Sequence, residues 1–407
     1  MQAERGTNNV YGHLQGSRDV TLKSNKLDNQ GGRLLALGGD AQLETQLVIV
    51  NTGGQIEVKN RLSTRSQHLM NAYGVMASDE VTVNTRRKSL SNTGGSVSAK
   101  RGLRITSGPL ENNGGRLQSG GNLVIDTRNS ALCNRFTVNA VINCGADLFL
   151  DTGDIDNTSG MITAAGRTEI VGGAVKNVKG MLATARGMKL LSRSLDNEGG
   201  NVQAGALLVV NTGALDNTAG RIRAAGVARI NSREFDNCGG CLQTGRDLHI
   251  DTQGQRLINA YNSFAGILAG GNLTLHAGQI DNTAGLINAS GVSCVTSDAL
   301  LNTRGRLQSG EYLQLDTHGQ RLSNINSVNT GILSGGDLWL HAGEIDNTSG
   351  IIVAVGETRV SRTVLNNLDG RLFTDPALVL LSPTLTLPGV MLDDGAPTPC
   401  RVKSHPL

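Results

Sequence analysis

Aromatic rings are scarce in this chain. One Trp, four Tyr and five Phe in 407 residues are too few to fill an ordinary globular core, so the interior must be built from aliphatic side chains. No run of eighteen apolar residues occurs, which excludes a membrane-spanning helix. A formal net charge of +3, with the basic residues scattered, gives little support to a nucleic-acid surface, and no nucleic-acid partner is expected. Proline is nearly confined to one end: of seven, six lie after Phe373, at Pro376, Pro383, Pro388, Pro397, Pro399 and Pro406. The opening Met-Gln-Ala-Glu-Arg-Gly-Thr-Asn-Asn is polar and lacks a secretory signal peptide, so the chain as written is not expected to export itself.

What the chain has in place of these is repetition. The tripeptide Leu-Asp-Asn, or a close variant, returns about every 20 residues with Gly at the third place after the Asn. The Asn markers run from Asn29 through Asn51, Asn71, Asn92 and onward to Asn367 in steps of 20 to 23. A longer period lies on top, because Asn112 to Asn177, Asn237 to Asn302 and Asn302 to Asn367 each span 65 residues. Repetition of this length is the mark of a solenoid, in which each unit stacks on its neighbours.

Fixed offsets from the marker carry fixed chemistry. Five places on stand Leu117, Ile162, Leu182, Val202, Ile222, Leu242, Ile287, Leu307, Ile352 and Leu372, all aliphatic. Thirteen places on stand Ile125, Ile170, Leu190, Val210, Ile230, Ile250, Val295, Leu315 and Val360, each preceded by a variable residue such as Glu169, Lys189 or Arg359. Apolar and variable residues at alternate places give the period of a strand. Glycine pairs such as Gly31 with Gly32 and Gly199 with Gly200 follow the Asn and read as corners, where the backbone takes φ values that a Cβ resists. The Asn lies two residues after an inward aliphatic side chain, so its amide also points inward. Stacked amides bonded rung to rung would satisfy it.

These features predict an all-β fold, a right-handed parallel β-helix (solenoid) of about 20–23-residue rungs. The sixteen intervals from Asn29 to Asn367 would span roughly 75 Å at the strand spacing of a sheet. Leucine-rich repeats have a similar period, but they need Leu-x-x-Leu-x-Leu before the Asn and often a helical return, whereas here a turn follows. The expected organisation is a partial N-terminal rung or cap at 1–26, the β-helix at 27–372, and a Pro-containing irregular cap or tail at 373–407. A solenoid usually carries polar caps, so the abrupt ends suggest an interior piece of something longer.

Segments such as Leu-Asp-Asn-Thr-Ala-Gly-Arg-Ile (215–222), Ile-Asp-Asn-Thr-Ala-Gly-Leu-Ile (280–287) and Leu-Gln-Ser-Gly-Gly-Asn-Leu-Val-Ile-Asp-Thr (117–127) carry a family resemblance. Over about residues 27–372 the chain resembles the haemagglutinin repeats of filamentous haemagglutinins and contact-dependent growth inhibition exoproteins. The resemblance implies a β-helical stalk of a large bacterial adhesin, used for adhesion or toxin presentation. It implies two-partner secretion through an outer-membrane transporter that serves the full-length parent, and a secreted or cell-surface location. No amino-terminal secretion domain and no toxin segment after Leu372 is read in the sequence.

A stalk would meet its partner through loops. Extra residues follow three of the markers, at 135–140, 260–265 and 325–330, and should emerge on one side of the coil. The last two would stand three rungs, about 14 Å, apart, and the first two six rungs, about 29 Å. Tyr261 and Phe264 in the second loop, and Trp339 at an outward strand position aligned with Thr274, are candidates to stack on a sugar. The expected partner is a host or neighbouring-cell surface, met as a glycan or protein receptor.

Chemistry has weaker footing. Asp196, Asp216 and Asp236 share one offset on successive rungs and would stack about 5 Å apart, as a cation site or as a solvated face. The same offset holds Leu301, Ile258 and Lys176 elsewhere, so no rung stands out. Cys238 and Cys241 form a C-x-x-C without a second pair, His276 and His341 are three rungs apart, and Cys133, Cys144, Cys294 and Cys400 have no evident partners. No catalytic residue, no metal site and no cofactor is expected. A polysaccharide-binding or polysaccharide-cleaving β-helix, and a truncated non-functional remnant, stand as alternatives.

Overall fold

The computed structural model describes residues 2–3, 6–135, 141–262, 265–327 and 330–381. Every regular element among them is a β-strand, and the strands pair in parallel from rung to rung. The chain divides into two compact units, Met1–Asp247 and Leu248–Leu407. Each is a stack of three-sided rungs, the parallel β-helix anticipated from the periodicity.

In the first unit the strands Met161–Ala164, Thr168–Val171 and Ala174–Lys176 make one rung. They pair residue for residue with Met181–Thr184, Met188–Leu191 and Ser194–Asp196, twenty residues later. In the second unit Leu286–Ala289, Ser293–Thr296 and Ala299–Leu301 pair in the same way with Arg306–Ser309, Leu313–Asp316 and Arg321–Ser323. In some rungs two sides merge into one long strand, as in Ala41–Val50, Val75–Asn84 and Thr358–Asn366.

Alternate side chains fill the coil. In one rung Val202, Ala204, Leu208, Val210 and Leu215 are each at most 2% exposed, while the intervening Gln203 and Val209 face outward. At ~1.5–3 kcal/mol for each large aliphatic chain, burial drives stacking, but only when a neighbouring rung is present to cover it.

The Asn column forms the expected ladder and extends it by one member. In the first unit each Asn from Asn9 to Asn217 donates its Nδ2–H to the Oδ1 of the next marker at 2.6–2.8 Å. In the second unit the same bonds run from Asn259 to Asn367. A second donation goes to a neighbouring backbone carbonyl, as from Asn177 to the Asn201 oxygen at 3.2 Å. A further corner is built from inward hydroxyls: Thr127 and Thr252 each donate to the carbonyl three residues on, at 2.5 and 2.6 Å. The buried amides of the Asn column and these corner hydroxyls are thus satisfied by rung-to-rung or local bonds.

The corner glycines divide the work differently from the sequence reading. The left-handed residue is the second after the Asn, with φ +59° at Gly31 and +58° at Gly199, yet Tyr11, Ser159, Lys179, Ala219 and Arg304 adopt 51–56° at the same place. The third residue is Gly for another reason. A Cβ on Gly200 would stand 2.1 Å from the Asn177 carbonyl oxygen of the preceding rung and 2.6 Å from Asn197 Oδ1. Close approach between rungs, not backbone φ, requires that glycine.

Rung pairing continues at both ends of the described residues. Thr7–Asn8 and His13–Gly16 pair with Leu27–Asp28 of the next rung and with Arg33–Ala36, so rung structure precedes residue 27. Beyond Leu372, Arg371–Thr374 and Leu378–Leu381 pair with Ile351–Ala354 and Thr358–Asn366. The Asn marker opens a rung, so the stack runs on after the last marker. Residues 382–407, where the rest of the expected cap or tail falls, lie outside the described residues.

Candidate functional site

The stacked carboxylates are turn elements. Asp196 is in register with Asp216, and Asp216 with Asp236, as the spacing required. Each Oδ1 accepts the backbone N–H two residues on: from Glu198 at 3.2 Å, Thr218 at 2.8 Å and Cys238 at 2.8 Å. Asp156, Asp281 and Asp346 do the same on other rungs, at 3.0–3.1 Å. This Asx turn brings the chain out of the strand and into the left-handed residue, which accounts for the Asp of the repeated tripeptide.

Cys238 sits in the turn and Cys241 opens the strand Cys241–Thr244, in register with Arg221. Cys133, Cys144, Cys238 and Cys241 are thiols. Burial pushes the Cys241 thiol above its ordinary value against the pull of Arg223 and Arg221. Cys294 occupies a strand place between Thr274 and Gln314, and Cys400 lies outside the described residues. His276 and His341 are separated by Thr296 and Asp316 in one register row, three rungs apart. Among the described residues no three His, Cys, Asp or Glu side chains gather into a metal-holding group.

The loops grow from intact corners. In the second unit Tyr261 and Asn326 are left-handed, at φ 58° and 54°, and each N–H bonds the next rung at 3.0 Å, to the carbonyls of Thr283 and Thr348. The chain returns to its strand at Gly266 and Gly331, with φ 107° and 110°. At the third place after these two markers stand Asn262 and Ser327 in place of glycine, both buried. Asn262 donates to Asn259 Oδ1 at 2.8 Å, and Ser327 to the Asn302 carbonyl at 3.0 Å, so the corner is tied without the close approach. Tyr261 is 68% exposed. Phe264 and residues 136–140 lie outside the described residues.

Strand neighbours also form surface hollows. In the first unit a groove of about 650 Å³ crosses the first strands of several rungs, lined by Leu35, Leu37, Glu57, Lys59, Ser98 and Lys100 among others. The Lys100 ammonium, 3.1 Å from Asp79 Oδ1, holds that carboxyl below its ordinary value by its hydrogen bond.

In the second unit a cavity of about 210 Å³ is lined by Tyr312, Asp337, Leu338, Trp339, Glu357 and Arg359. Trp339 lies outward between Gln314 and Arg359 in register, its indole stacked with His341 at 5.6 Å between centroids and 12° between planes. Asp337 Oδ1 accepts the Glu357 N–H at 2.8 Å, and Glu357 Oε1 accepts Arg359 Nε–H at 2.8 Å. That carboxylate raises the Arg359 pKa, and burial raises that of Tyr312, with Asp337 adding to it.

Sequence reasoning reached Trp339 but missed its neighbours. The 65-residue period held the signal. Tyr312, Trp339 and Arg359 correspond to Asp247, Thr274 and Cys294 one super-repeat earlier, so all three depart from their counterparts together.

The family model of the haemagglutinin repeat matches residues 4–60, 77–130, 134–255, 265–334 and 312–382. The chain belongs to the haemagglutinin-repeat family of the filamentous haemagglutinins. Searches of curated proteins and of solved structures return no match. Haemagglutinin repeats are generally structural rather than enzymatic, and typically belong to secreted or cell-surface proteins. Each match spans several of the rungs described above.

Proposed function

We propose that this chain is a structural stalk segment of a large secreted bacterial adhesin or contact-dependent inhibition exoprotein, acting in cell adhesion or toxin presentation. The observation that carries the reading is the coincidence of haemagglutinin repeats along nearly the whole chain with rungs that hand the same bonds to the next rung. A stack whose polar and apolar groups are both satisfied by a neighbour extends by repetition, and length is what a stalk supplies. The parent reaches the surface through its outer-membrane transporter, and loops or a domain beyond the rungs meet the other cell.

Length can be tested apart from sequence. Removing residues 161–200 takes out two rungs and leaves the Asn spacing in register. Cells displaying the shortened parent should keep it accessible to external protease while attachment or toxin delivery falls. Replacing the lost rungs with a second copy of residues 201–240 should restore activity. Failure of the replacement, with display intact, would show that particular residues and not reach are at work, and would overturn the stalk reading. So would a chain of about 43 kDa found in the cytoplasm alone.

A further inference from the structure

We propose that the cavity bounded by Tyr312, Trp339 and Arg359 binds one neutral pyranose ring of a saccharide. This deepens the adhesive reading by naming a ligand class, and its binding assay fails or succeeds independently of surface display.

Three adjacent strands build the site. Trp339 is in register with Gln314 on one side and Arg359 on the other, and Tyr312, Asp337 and Glu357 stand just before the strands that carry them. The result is an aromatic wall beside polar groups in a hollow of about 210 Å³, room for a single sugar ring. A pyranose has an apolar face of C–H bonds and a rim of hydroxyls. The first suits the indole, held in orientation by the stacked His341. The second suits the Arg359 guanidinium, whose Nε is engaged by Glu357 while its terminal nitrogens can donate.

The Tyr312 hydroxyl gives the site its direction. It is buried without a hydrogen-bond partner, and an unmet buried hydroxyl costs about 1–3 kcal/mol. A small shift of the Tyr312 side chain as a sugar seats in the cavity would let a sugar hydroxyl meet it. Charge selects the kind of sugar: the lining has two carboxylates, Asp337 and Glu357, against one guanidinium, so a carboxylated or sulfated ring is repelled. A scaffold column would repeat in every rung. This set does not, since the preceding super-repeat has Asp247, Thr274 and Cys294 at the three places.

Trp339 is the only tryptophan of the chain, so intrinsic fluorescence reports the site directly. The full chain would be titrated with glucose, galactose, mannose, N-acetylglucosamine and their short oligomers, with sialyllactose as the anionic comparison. The expected result is a saturable change in emission with at least one neutral sugar at about 1–10 mM, weakened about five- to twentyfold in Tyr312→Phe. Far-UV circular dichroism should be unchanged in that variant. Trp339→Phe should bind more weakly by calorimetry, and Trp339→Ala not at all. No saturable response to any neutral sugar, a response to sialyllactose alone, or an unaltered affinity in Tyr312→Phe would each overturn the assignment.

Discussion

Gly199 and Gly200 are adjacent, and the structure assigns them opposite tolerance to the same substitution. In Gly200→Ala the new Cβ would lie 2.1 Å from the Asn177 carbonyl oxygen, 2.6 Å from Asn197 Oδ1 and 3.0 Å from Asn177 Nδ2. Relief requires the preceding rung to retreat by about 1 Å, roughly a fifth of the ~4.8 Å between strands. The movement pulls apart the bonds Asn177 makes to Asn197 Oδ1 at 2.7 Å and to the Asn201 carbonyl at 3.2 Å. Two buried polar groups left poorly paired, at ~1–3 kcal/mol each, together with residual strain, give a loss of about 3–5 kcal/mol. In Gly199→Ala the backbone is already left-handed at φ +58°, and the nearest atom a Cβ would meet is Lys179 Cγ at 3.5 Å. Only the intrinsic left-handed cost of about 1 kcal/mol remains.

Because a solenoid responds locally, hydrogen exchange of the amides of Met181–Thr184 and Asn201–Ala204 is the sharper readout, with urea unfolding followed by circular dichroism beside it. Gly199→Ala should speed exchange about fivefold, and Gly200→Ala by more than about a hundredfold, at ~1.4 kcal/mol for each factor of ten. Equal effects in the two variants, or a larger effect at Gly199, would refute the argument, since the left-handed φ would then be the reason for the glycine pair.

The Asn ladder yields a second contrast. Asn217→Ala removes donations to Asn237 Oδ1 at 2.7 Å and to the Gly220 and Cys241 carbonyls at 3.3 Å, and takes away the acceptor of Asn197, so about 3–5 kcal/mol should be lost. The exposed pair of Asn231 with Asn211, also at 2.7 Å, should be worth about 0.5 kcal/mol or less, and similar urea midpoints for Asn231→Ala and Asn217→Ala would contradict the ladder's role. Asp346 gives a pH dependence. Burial alone would raise its pKa, but the Thr348 hydroxyl at 2.7 Å, the Thr348 N–H at 3.1 Å and Arg321 at 2.6 Å together hold it below its ordinary value. A depressed carboxyl contributes stability that is present above the unfolded value of about 3.9 and is lost as pH falls through the folded one. Melting between pH 2 and 6 should show that loss, made smaller in Arg321→Gln because the folded value moves back toward the unfolded one, and a carboxyl resonance of Asp346 titrating at or above about 3.9 would contradict it.

The sequence by itself determined the rung, its strands and its inward columns. Period survives in one dimension: Ile162, Leu182, Val202 and Ile222 face inward because each is five places after its Asn, and the backbone of a strand does the rest. The Asn ladder followed from the same alternation, and the loops from the places where the step lengthens. Asn9 escaped because no recognisable tripeptide precedes it, although it donates to Asn29 at 2.6 Å. The tertiary structure alone decided what each side chain meets across the rungs. That Gly200 is required by the Asn177 carbonyl while Gly199 is not, and that the repeated Asp ties its own turn, depend on distances of a few ångströms between groups close or far in sequence. Tyr312, Trp339 and Arg359 become one cavity only when three rungs are in register. A one-dimensional period fixes which way a residue points. Lateral neighbours are fixed by register, and a hydrogen bond or a clash turns on an ångström that no spacing in the sequence records.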